Sequence, residues 1–294
     1  MRLFAFFLLF VSQGSLALKV LTYSSFLGKG SLGAFVAEEY KKTCKSCVVE
    51  FEPVKDLSGL LGELRRRPKS FDVVLGLSER HYQVALDEKL VKRGILFEQS
   101  PVVVLADTRR IPKEKLPVSW AELVKLKKSL IVQDPRFSNT GAEWLRAIYE
   151  FELVSPKDSA ELTARVYPSW SASYDAFLKG SVPFVWTYLS SQAYHLCHGE
   201  KNFSVLSLKE GFPVQKEFAA VVRAKNSPEA SSFVSFLMSS KIQGAIPELN
   251  WMFPGSKKVK LPDCFIQLPR VKELSSKKKS YLEFSNWIDK WSLL

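Results

Sequence analysis

Short apolar runs alternate with amphipathic segments along the first third of the chain. The runs Leu18 to Tyr23, Cys47 to Glu52 and Phe71 to Leu77 are rich in β-forming residues and predict three strands. Between them, Ala34 to Lys42 and Leu57 to Arg67 carry apolar residues at helical spacing and predict two helices. Because strands and helices alternate, this part predicts a parallel sheet with helices on its faces.

The alternation continues through the middle of the chain, with changes of character after Phe97 and near Phe218. Further strands are predicted at Pro101 to Ala106, Leu130 to Gln133, Val182 to Tyr188 and Phe218 to Arg223. Further helices are predicted at Pro117 to Lys128, Ala142 to Phe151, Tyr174 to Lys179, from Ser227-Pro228 onward, and around Phe284, Trp287, Ile288 and Trp291. Ser119 and Ser227 are the predicted N-caps of the first and fourth of these helices.

The first residues have the pattern of a secretory signal peptide. Arg2 precedes an apolar run from Leu3 to Val11, and Ser15-Leu16-Ala17 places small residues at a cleavage site. The run is too short for a membrane anchor, since a spanning helix needs about 20 apolar residues. Residues 1–17 are therefore predicted to be removed on export, which leaves 294 − 17 = 277 residues, enough for two domains.

The net charge of +12 raises the question of a nucleic-acid partner. The basic clusters Arg65-Arg66-Arg67, Lys257-Lys258 and Lys277-Lys278-Lys279 are scattered, and acidic residues lie between them. Export also separates the protein from most nucleic acids. The charge therefore predicts a basic solvated surface and no nucleic-acid partner.

Four cysteines are present, and an exported protein meets conditions in which disulfides persist. Cys44 and Cys47 are two residues apart, and no second such pair exists to complete a zinc site, so a local disulfide is favoured. Cys197 and Cys264 form a second candidate pair, but sequence alone does not fix the connectivity.

Three motifs suggest enzyme or metal chemistry, and each is weak. Gly28-x-Gly30-x-x-Gly33 matches a dinucleotide-binding fingerprint, but the pattern is short and an exported protein meets little soluble NAD. His195 and His198 lack a third ligand at diagnostic spacing, so they are expected on a helix surface. A nucleophile elbow is absent from the sequence. The sequence therefore predicts no cofactor, no metal and no catalysis.

Several longer motifs resemble one family. Leu116-Pro117-x-Ser119-Trp120-x-Glu122-Leu123 is common in the second lobe of extracellular solute-binding proteins. The sharper segments are Thr22-Tyr23-x-Ser25-Phe26, Asp72 to Leu77, Gln133-Asp134-Pro135-Arg136-x-Ser138, Trp170-Ser171-x-x-Tyr174, Ser191-x-Ala193-Tyr194-His195, and Asn250-Trp251-Met252-Phe253-Pro254. With this order and spacing, the chain resembles the thiamine-binding periplasmic proteins of ABC importers.

The resemblance implies an α/β fold of the type II periplasmic-binding-protein kind, with two lobes joined by a hinge of two crossing strands. Lobe one is expected at 18–98 and 216–294, and lobe two at 99–215. Ligand would bind between the lobes, and closure of the hinge would bury it. The implied function is capture of thiamine or a phosphorylated thiamine by a monomer, which then docks on a permease in the inner membrane.

The resemblance also implies which residues contact ligand. By position these are Asp56, Leu57, Ser138, Asn139, Trp170, Tyr188, Leu189, Ser190 and Ser191, with Tyr23, Tyr194 and Trp251 as cleft neighbours.

The residue types suit thiamine, which carries a thiazolium cation and a flat aminopyrimidine. A cation over an aromatic face gains roughly 0.5–2 kcal/mol, and Trp170, Tyr188 and Tyr194 provide such faces. Asp56 would bind the cation or the exocyclic amine through a charge-assisted bond. Two alternatives remain open: a binding protein for another small cation or ferric ion, and an exported enzyme on the same fold.

Overall fold

The computed structural model describes residues 17–43, 47–54, 59–180, 182–225, 227–275 and 280–292. Most of the signal-peptide prediction (residues 1–16) lies outside these ranges, as do Cys44, Asp56 and Leu57. Within them, no helix combines the length and the apolar character needed to cross a bilayer.

Eleven strands are present among the described residues. They are Leu18–Tyr23 (β1), Val49–Val54 (β2), Val73–Ser78 (β3), Ile95–Asp107 (β4), Leu130–Gln133 (β5), Thr163–Tyr167 (β6), Phe184–Tyr188 (β7), Phe203–Val205 (β8), Phe212–Val221 (β9), Phe253–Pro254 (β10) and Glu273–Leu274 (β11).

Twelve α-helices are present in the same part of the chain. They are Leu32–Thr43 (α1), Gly59–Arg66 (α2), Glu79–Asp87 (α3), Trp120–Leu123 (α4), Asn139–Leu145 (α5), Pro156–Leu162 (α6), Trp170–Leu178 (α7), Ser190–Cys197 (α8), Pro228–Phe236 (α9), Ser240–Leu249 (α10), Asp263–Ile266 (α11) and Phe284–Trp291 (α12). Four 3₁₀ turns lie at Ser24–Leu27, Pro68–Ser70, Lys113–Lys115 and Ser280–Glu283, and a π turn at Arg146–Glu150 follows α5 directly.

The main sheet has the strand order β2-β1-β3-β9-β4-β7-β5-β6. Strand β1 is parallel to β2 and β3, and β5 is parallel to β6 and β7. Between these parallel groups lie β9 and β4, which are antiparallel to each other and to their outer neighbours. The parallel groups of strands are therefore the sheets of two lobes, which confirms the predicted α/β two-lobed fold.

The two central strands are the hinge that the fold prediction required. Residues Ile95 to Pro101 of β4 pair with β9, and Val102 to Ala106 pair with β7. Strand β9 pairs with β3 through Glu217 to Val221 in lobe one, and Phe212 at its start packs in the lobe-two core. Each strand therefore runs from one lobe into the other, so a rotation of the lobes must bend or twist this pair.

The predicted strands and helices are present, with shifted ends. Strand β1 has the predicted bounds, whereas the helix predicted at Pro117 to Lys128 is wrong in length. Ser119 caps α4 as predicted, but Lys125 and Leu126 bond residues three positions earlier, in turns, instead of continuing the helix. Helix α5 begins at Asn139, before the predicted start, because Ser138 caps it.

Each lobe has its own buried core. In lobe two, Trp120, Trp144 and Trp186 are fully buried and pack together, with ring centroids 5.3–6.0 Å apart. In lobe one, apolar residues of β1, β3 and β9 pack against α1 and α9 on one face and against α2 and α3 on the other. Two separate cores allow the lobes to move as rigid units about the crossing strands.

The C-terminal segment contacts both lobes. Phe284 and Trp287 of α12 pack against Ala142 and Leu145 of α5, and the guanidinium carbon of Arg80 in α3 lies 3.9 Å from the centre of the Phe284 ring. Helix α12 therefore contacts lobe one through α3 and lobe two through α5. The assignment of residues 216–294 to lobe one stays a prediction.

Candidate functional site

A cavity of about 620 Å³ lies where the ends of β1 and β7 meet the starts of α5, α7 and α8. Its volume is in the range of small-molecule binding sites. The described lining consists of Tyr23, Ser24, Ser25, Ser138, Asn139, Ser169, Trp170, Ser171, Tyr174, Asp175, Leu178, Tyr188, Ser190, Ser191, Tyr194, Glu217, Asn250, Trp251 and Met252. The described lining holds two carboxyl groups, Asp175 and Glu217, and no basic side chain, so the cavity favours a cation.

The aromatic wall of the cavity is Trp170, which starts α7. Its ring stacks on Tyr174 at 5.0 Å between centroids and an interplanar angle of 18°. Its indole Nε1 donates to Thr187 Oγ1 at 2.8 Å, and that hydroxyl lies 2.8 Å from Ser191 Oγ. The ring is therefore held in place before any ligand arrives, which lowers the entropy cost of stacking.

Tyr174 is itself held by a buried histidine. Its hydroxyl lies 2.6 Å from His195 Nε2, and His195 Nδ1 lies 2.7 Å from Glu200 Oε2. Burial, opposed by Glu200, lowers the pKa of His195. The sequence-based expectation of a surface histidine is wrong for His195, because α8 turns this side chain into the lobe, and right for His198, which is exposed.

The polar rim of the cavity is built at the start of α5. Ser138 Oγ accepts from Gly141 N at 3.5 Å and lies 2.8 Å from Thr140 Oγ1. A Cβ at Gly141 would lie 2.6 Å from the Gln133 carbonyl oxygen, so only glycine lets α5 start this close to β5. Asn139 is buried, and its Nδ2 has no hydrogen-bond partner in the described protein, which leaves a donor for a ligand.

Trp251 and Tyr194 form an aromatic pair on another side of the cavity, with ring centroids 4.9 Å apart in an edge-to-face arrangement. Trp251 follows α10 with a φ of 51°, a left-handed conformation that a glycine normally occupies after a helix. A bulky residue in this region costs about 1–2 kcal/mol. This backbone conformation places the Trp251 side chain in the lining of the cavity.

Two buried glutamates lie at the hinge end of the cavity. Glu98 of β4 accepts from Tyr23 Oη at 3.1 Å and from Asn250 Nδ2 at 2.7 Å. Glu217 of β9, which lines the cavity, accepts from Gln215 Nε2 at 2.8 Å. Burial raises the pKa of Glu98 to about 7, and burial together with the Glu98 carboxyl raises the pKa of Glu217 well above its ordinary value.

Nine of the twelve residues expected from the resemblance line this cavity. They are Tyr23, Ser138, Asn139, Trp170, Tyr188, Ser190, Ser191, Tyr194 and Trp251. Leu189 does not line it, because its side chain packs in the lobe-two core and its backbone nitrogen donates to the Pro101 carbonyl. Asp56 and Leu57 lie outside the described residues, so their predicted roles stay predictions.

Sequence reasoning missed Glu217, Asp175, Asn250 and Tyr174 as cavity residues. Asn250 and Tyr174 stand inside the recognised motifs, so those motifs held a usable signal. Glu217 has no such signal, because a glutamate that follows Gln215 and Lys216 in a strand could face solvent or the protein interior until the strand pairing is known.

One predicted disulfide candidate is present. Cys197 and Cys264 are bonded, with Cα atoms 5.2 Å apart, and the bond ties the end of α8 to α11. Cys47 is also disulfide-bonded, but the predicted Cys44–Cys47 pairing stays a prediction because Cys44 is outside the described residues. The described residues contain no group of three His, Cys, Asp or Glu side chains placed to hold a metal ion.

Residues 33–248 match the family model for bacterial extracellular solute-binding protein. The chain is 32% identical to the thiamine-binding periplasmic protein of Brucella melitensis, over 88% of this chain and 85% of that protein. It is 31% identical to the thiamine-binding periplasmic protein of Escherichia coli, over 93% and 92% of the two chains.

Among solved structures, a periplasmic thiamin binding protein superposes with a TM-score of 0.83 at 28% identity, covering 94% of this chain and 95% of that chain. The ferric binding protein of Campylobacter jejuni superposes with a TM-score of 0.73 at 11% identity, covering 94% of this chain and 97% of that chain. At that identity the second similarity shows the fold alone.

Proposed function

The chain belongs to the bacterial extracellular solute-binding proteins, and from this we propose that it captures thiamine, or a phosphorylated thiamine, between its lobes and delivers it to the permease of an ABC importer. On this proposal the protein works in the periplasm as a monomer, after removal of residues 1–17. Its role is binding, and closure of the lobes over the ligand creates the form that the permease accepts.

The lining of the cavity carries this proposal. Trp170 and Tyr188 offer flat faces in the same cavity as the buried Glu217 carboxyl, and the described lining contains no basic side chain. An aromatic face and a carboxyl in a desolvated site together recognise a flat organic cation. Relatives named as thiamine-binding, at about 30% identity over most of the chain, support the choice of thiamine among such cations.

The polar rim suits the other end of the same ligand. Ser138, Asn139, Ser190 and Ser191 line the cavity and can donate to a hydroxyl or a phosphate. The rim therefore supports a ligand with a hydroxyethyl or phosphorylated arm attached to its cationic ring.

Titration of the mature protein with thiamine, thiamine monophosphate, thiamine diphosphate and spermidine, followed by tryptophan fluorescence, tests the proposal. We expect all or some of the thiamine forms to quench the emission, because Trp170 lies against the ligand. Spermidine is a cation without a flat ring and should bind more weakly by at least tenfold. The proposal is contradicted if no thiamine form binds, or if spermidine binds as tightly as thiamine.

A further inference from the structure

Glu98 and Glu217 face each other across the two crossing strands. They are a direct pair in the antiparallel register of β4 and β9. Both side chains are at least nine-tenths buried, with exposures of 0% and 3%. A β-bulge between Leu96 and Glu98 precedes the pair on β4. The strands that must move when the lobes close are thus the strands that carry these two acids.

Each carboxyl group uses only one of its two oxygens. Oε1 of Glu98 accepts from Tyr23 and Asn250, and Oε1 of Glu217 accepts from Gln215. Oε2 of both residues is buried without a donor among the described residues. A buried carboxylate oxygen without a donor is costly, and a proton shared between two facing carboxyl groups removes that cost.

Among the described residues, no cationic side chain interacts with the pair. Tyr23 faces it from β1, Tyr188 from β7 through Gln215, and Glu143 acts on Tyr188 from α5. The groups that shift the pKa values of Glu98 and Glu217 are Tyr23, Gln215, Asn250 and the two carboxyls themselves, none of them a cation. Lys216, although next in sequence to Glu217, is paired with Glu79.

The pair is nevertheless connected to the ligand cavity. Glu217, Tyr23, Tyr188 and Asn250 all belong to its lining. A cation bound against these four residues would lie next to the carboxyl pair or to its immediate hydrogen-bond partners, where buried surroundings screen the charge less than bulk water does.

We propose that Glu98 and Glu217 share a proton in the empty cleft, and that a cationic ligand displaces this proton to the solvent and takes its place as the positive charge beside the pair. The inference rests on the proposed function, which supplies the cation. The exchange is balanced in charge: one positive charge enters the hinge as ligand, and one leaves as a proton accepted by the buffer.

Binding should then be linked to pH. Around and below pH 7 the pair holds its proton in the ligand-free protein, and the bound cation lowers the proton affinity of the pair. Affinity for thiamine should therefore rise with pH, by up to about tenfold per unit while one whole proton is released. The dependence should level off at high pH, once the ligand-free pair has already lost the proton.

Calorimetric titration of the wild-type protein with thiamine near pH 7, in PIPES and in bis-Tris, counts the protons released, because the two buffers have different ionisation enthalpies. At this pH the aminopyrimidine of thiamine is unprotonated. We expect release of about one proton per ligand. Glu217→Gln keeps the shape of the side chain but removes the shared proton. We expect the number of protons released per thiamine bound to this variant to fall to near zero. Glu98→Gln, the second variant, should give the same result.

A ligand-free measurement separates this inference from the proposed function. The infrared difference spectrum of wild-type protein minus Glu217→Gln should contain the carbonyl band of a protonated carboxyl group near pH 7. If that band is present and no thiamine form binds, the proposed ligand is wrong while the shared proton stands. The inference is overturned if the band is absent, or if thiamine binds wild-type protein with the same heat in both buffers.

Discussion

Two clusters of buried glutamates in the described part of the chain differ in how their negative charge is neutralised. In lobe two, Glu143 and Glu150 both accept from the Arg146 guanidinium, at 2.7 Å each. At the hinge, no cationic side chain in the described part of the chain interacts with Glu98 or Glu217. In lobe two the Arg146 guanidinium supplies the positive charge that the glutamates need. At the hinge, on our proposal, a proton or a cationic ligand supplies it.

The difference shows why buried acids alone do not identify a binding site. Burial raises the pKa of Glu143 to about 7 even beside Arg146, a value like that of Glu98. The pKa shift therefore does not distinguish the two groups. What distinguishes them is the position of the positive charge and the contact of Glu217 with the cavity.

The largest expected effect comes from removing the internal cation. Arg146→Met leaves Glu143 and Glu150 buried without their partner and should lower the free energy of unfolding by about 3–5 kcal/mol. Urea denaturation measures it. As a control, a triple variant in which Glu143→Leu and Glu150→Leu accompany Arg146→Met should recover most of the loss. If the urea midpoint of Arg146→Met equals that of the parent, the ion pairs of Arg146 with Glu143 and Glu150 do not contribute to stability.

Asp56→Asn asks whether a third acid also contacts the ligand. The residue is outside the described ranges, and its role follows from the family resemblance. Loss of a charged hydrogen bond in a closed cleft should weaken thiamine binding by about 10- to 150-fold, or roughly 1.5–3 kcal/mol. Calorimetry measures the affinity, and the melting temperature without ligand should be unchanged. Binding as tight as in the parent would make Asp56 a surface or capping residue.

Trp170→Ala measures how much of the affinity comes from the aromatic wall instead of the hinge acids. We expect thiamine binding to weaken roughly tenfold or more, about 1.5 kcal/mol, through lost cation–π contact and burial. Trp170→Phe should recover part of this. Val118→Ala, at an exposed lobe-two position, is the control and should bind as the parent does. If Trp170→Ala binds normally, the ring is packing and not a ligand contact.

In the ligand-free protein, Glu217→Gln should raise the free energy of unfolding at alkaline pH, whereas Arg146→Met should lower it. Folding raises the pKa of Glu217, so the unfolded chain ionises at a lower pH than the folded protein does. The free energy of unfolding therefore decreases as the pH rises above the ordinary pKa of a glutamate, and it stops decreasing once the pH exceeds the folded-state pKa. Glutamine has no such proton to lose. The variant should be more stable at pH 8 by about 1–2 kcal/mol and equal to the parent near pH 4. Thermal melts at both pH values check this; destabilisation at pH 8 would contradict it.

Some features of the site could be predicted from the sequence because they are local. Trp170 and Tyr174 lie one helical turn apart, so their proximity follows from helix geometry. Ser119 and Ser227 were recognised as helix caps from their neighbours. Tyr23, Tyr188 and Trp251 were found through motifs of a few residues each.

Other features depend on contacts distant in sequence. The Tyr174 hydroxyl and His195 Nε2 come within 2.6 Å because α7 and α8 both pack against β7, although the sequence indicated a surface histidine. The short α4 and the π turn after α5 also differ from the periodic pattern. A continuing helix and a series of turns that leads to the next strand can have the same spacing of apolar residues. The spacing alone therefore does not distinguish them.

The sequence by itself determined the alternation of strands and helices, the caps, the export pattern and the family resemblance, because each depends on residues close together along the chain. The tertiary structure decided which charges find partners. Glu98 and Glu217 are 119 positions apart (217 − 98) and become neighbours only through the register of β4 and β9. Arg146 lies within four residues of both its acids in one helical segment. The packing of both lobes sets the pairing of β4 with β9. The two acids without a cationic partner could therefore be recognised only in the folded protein.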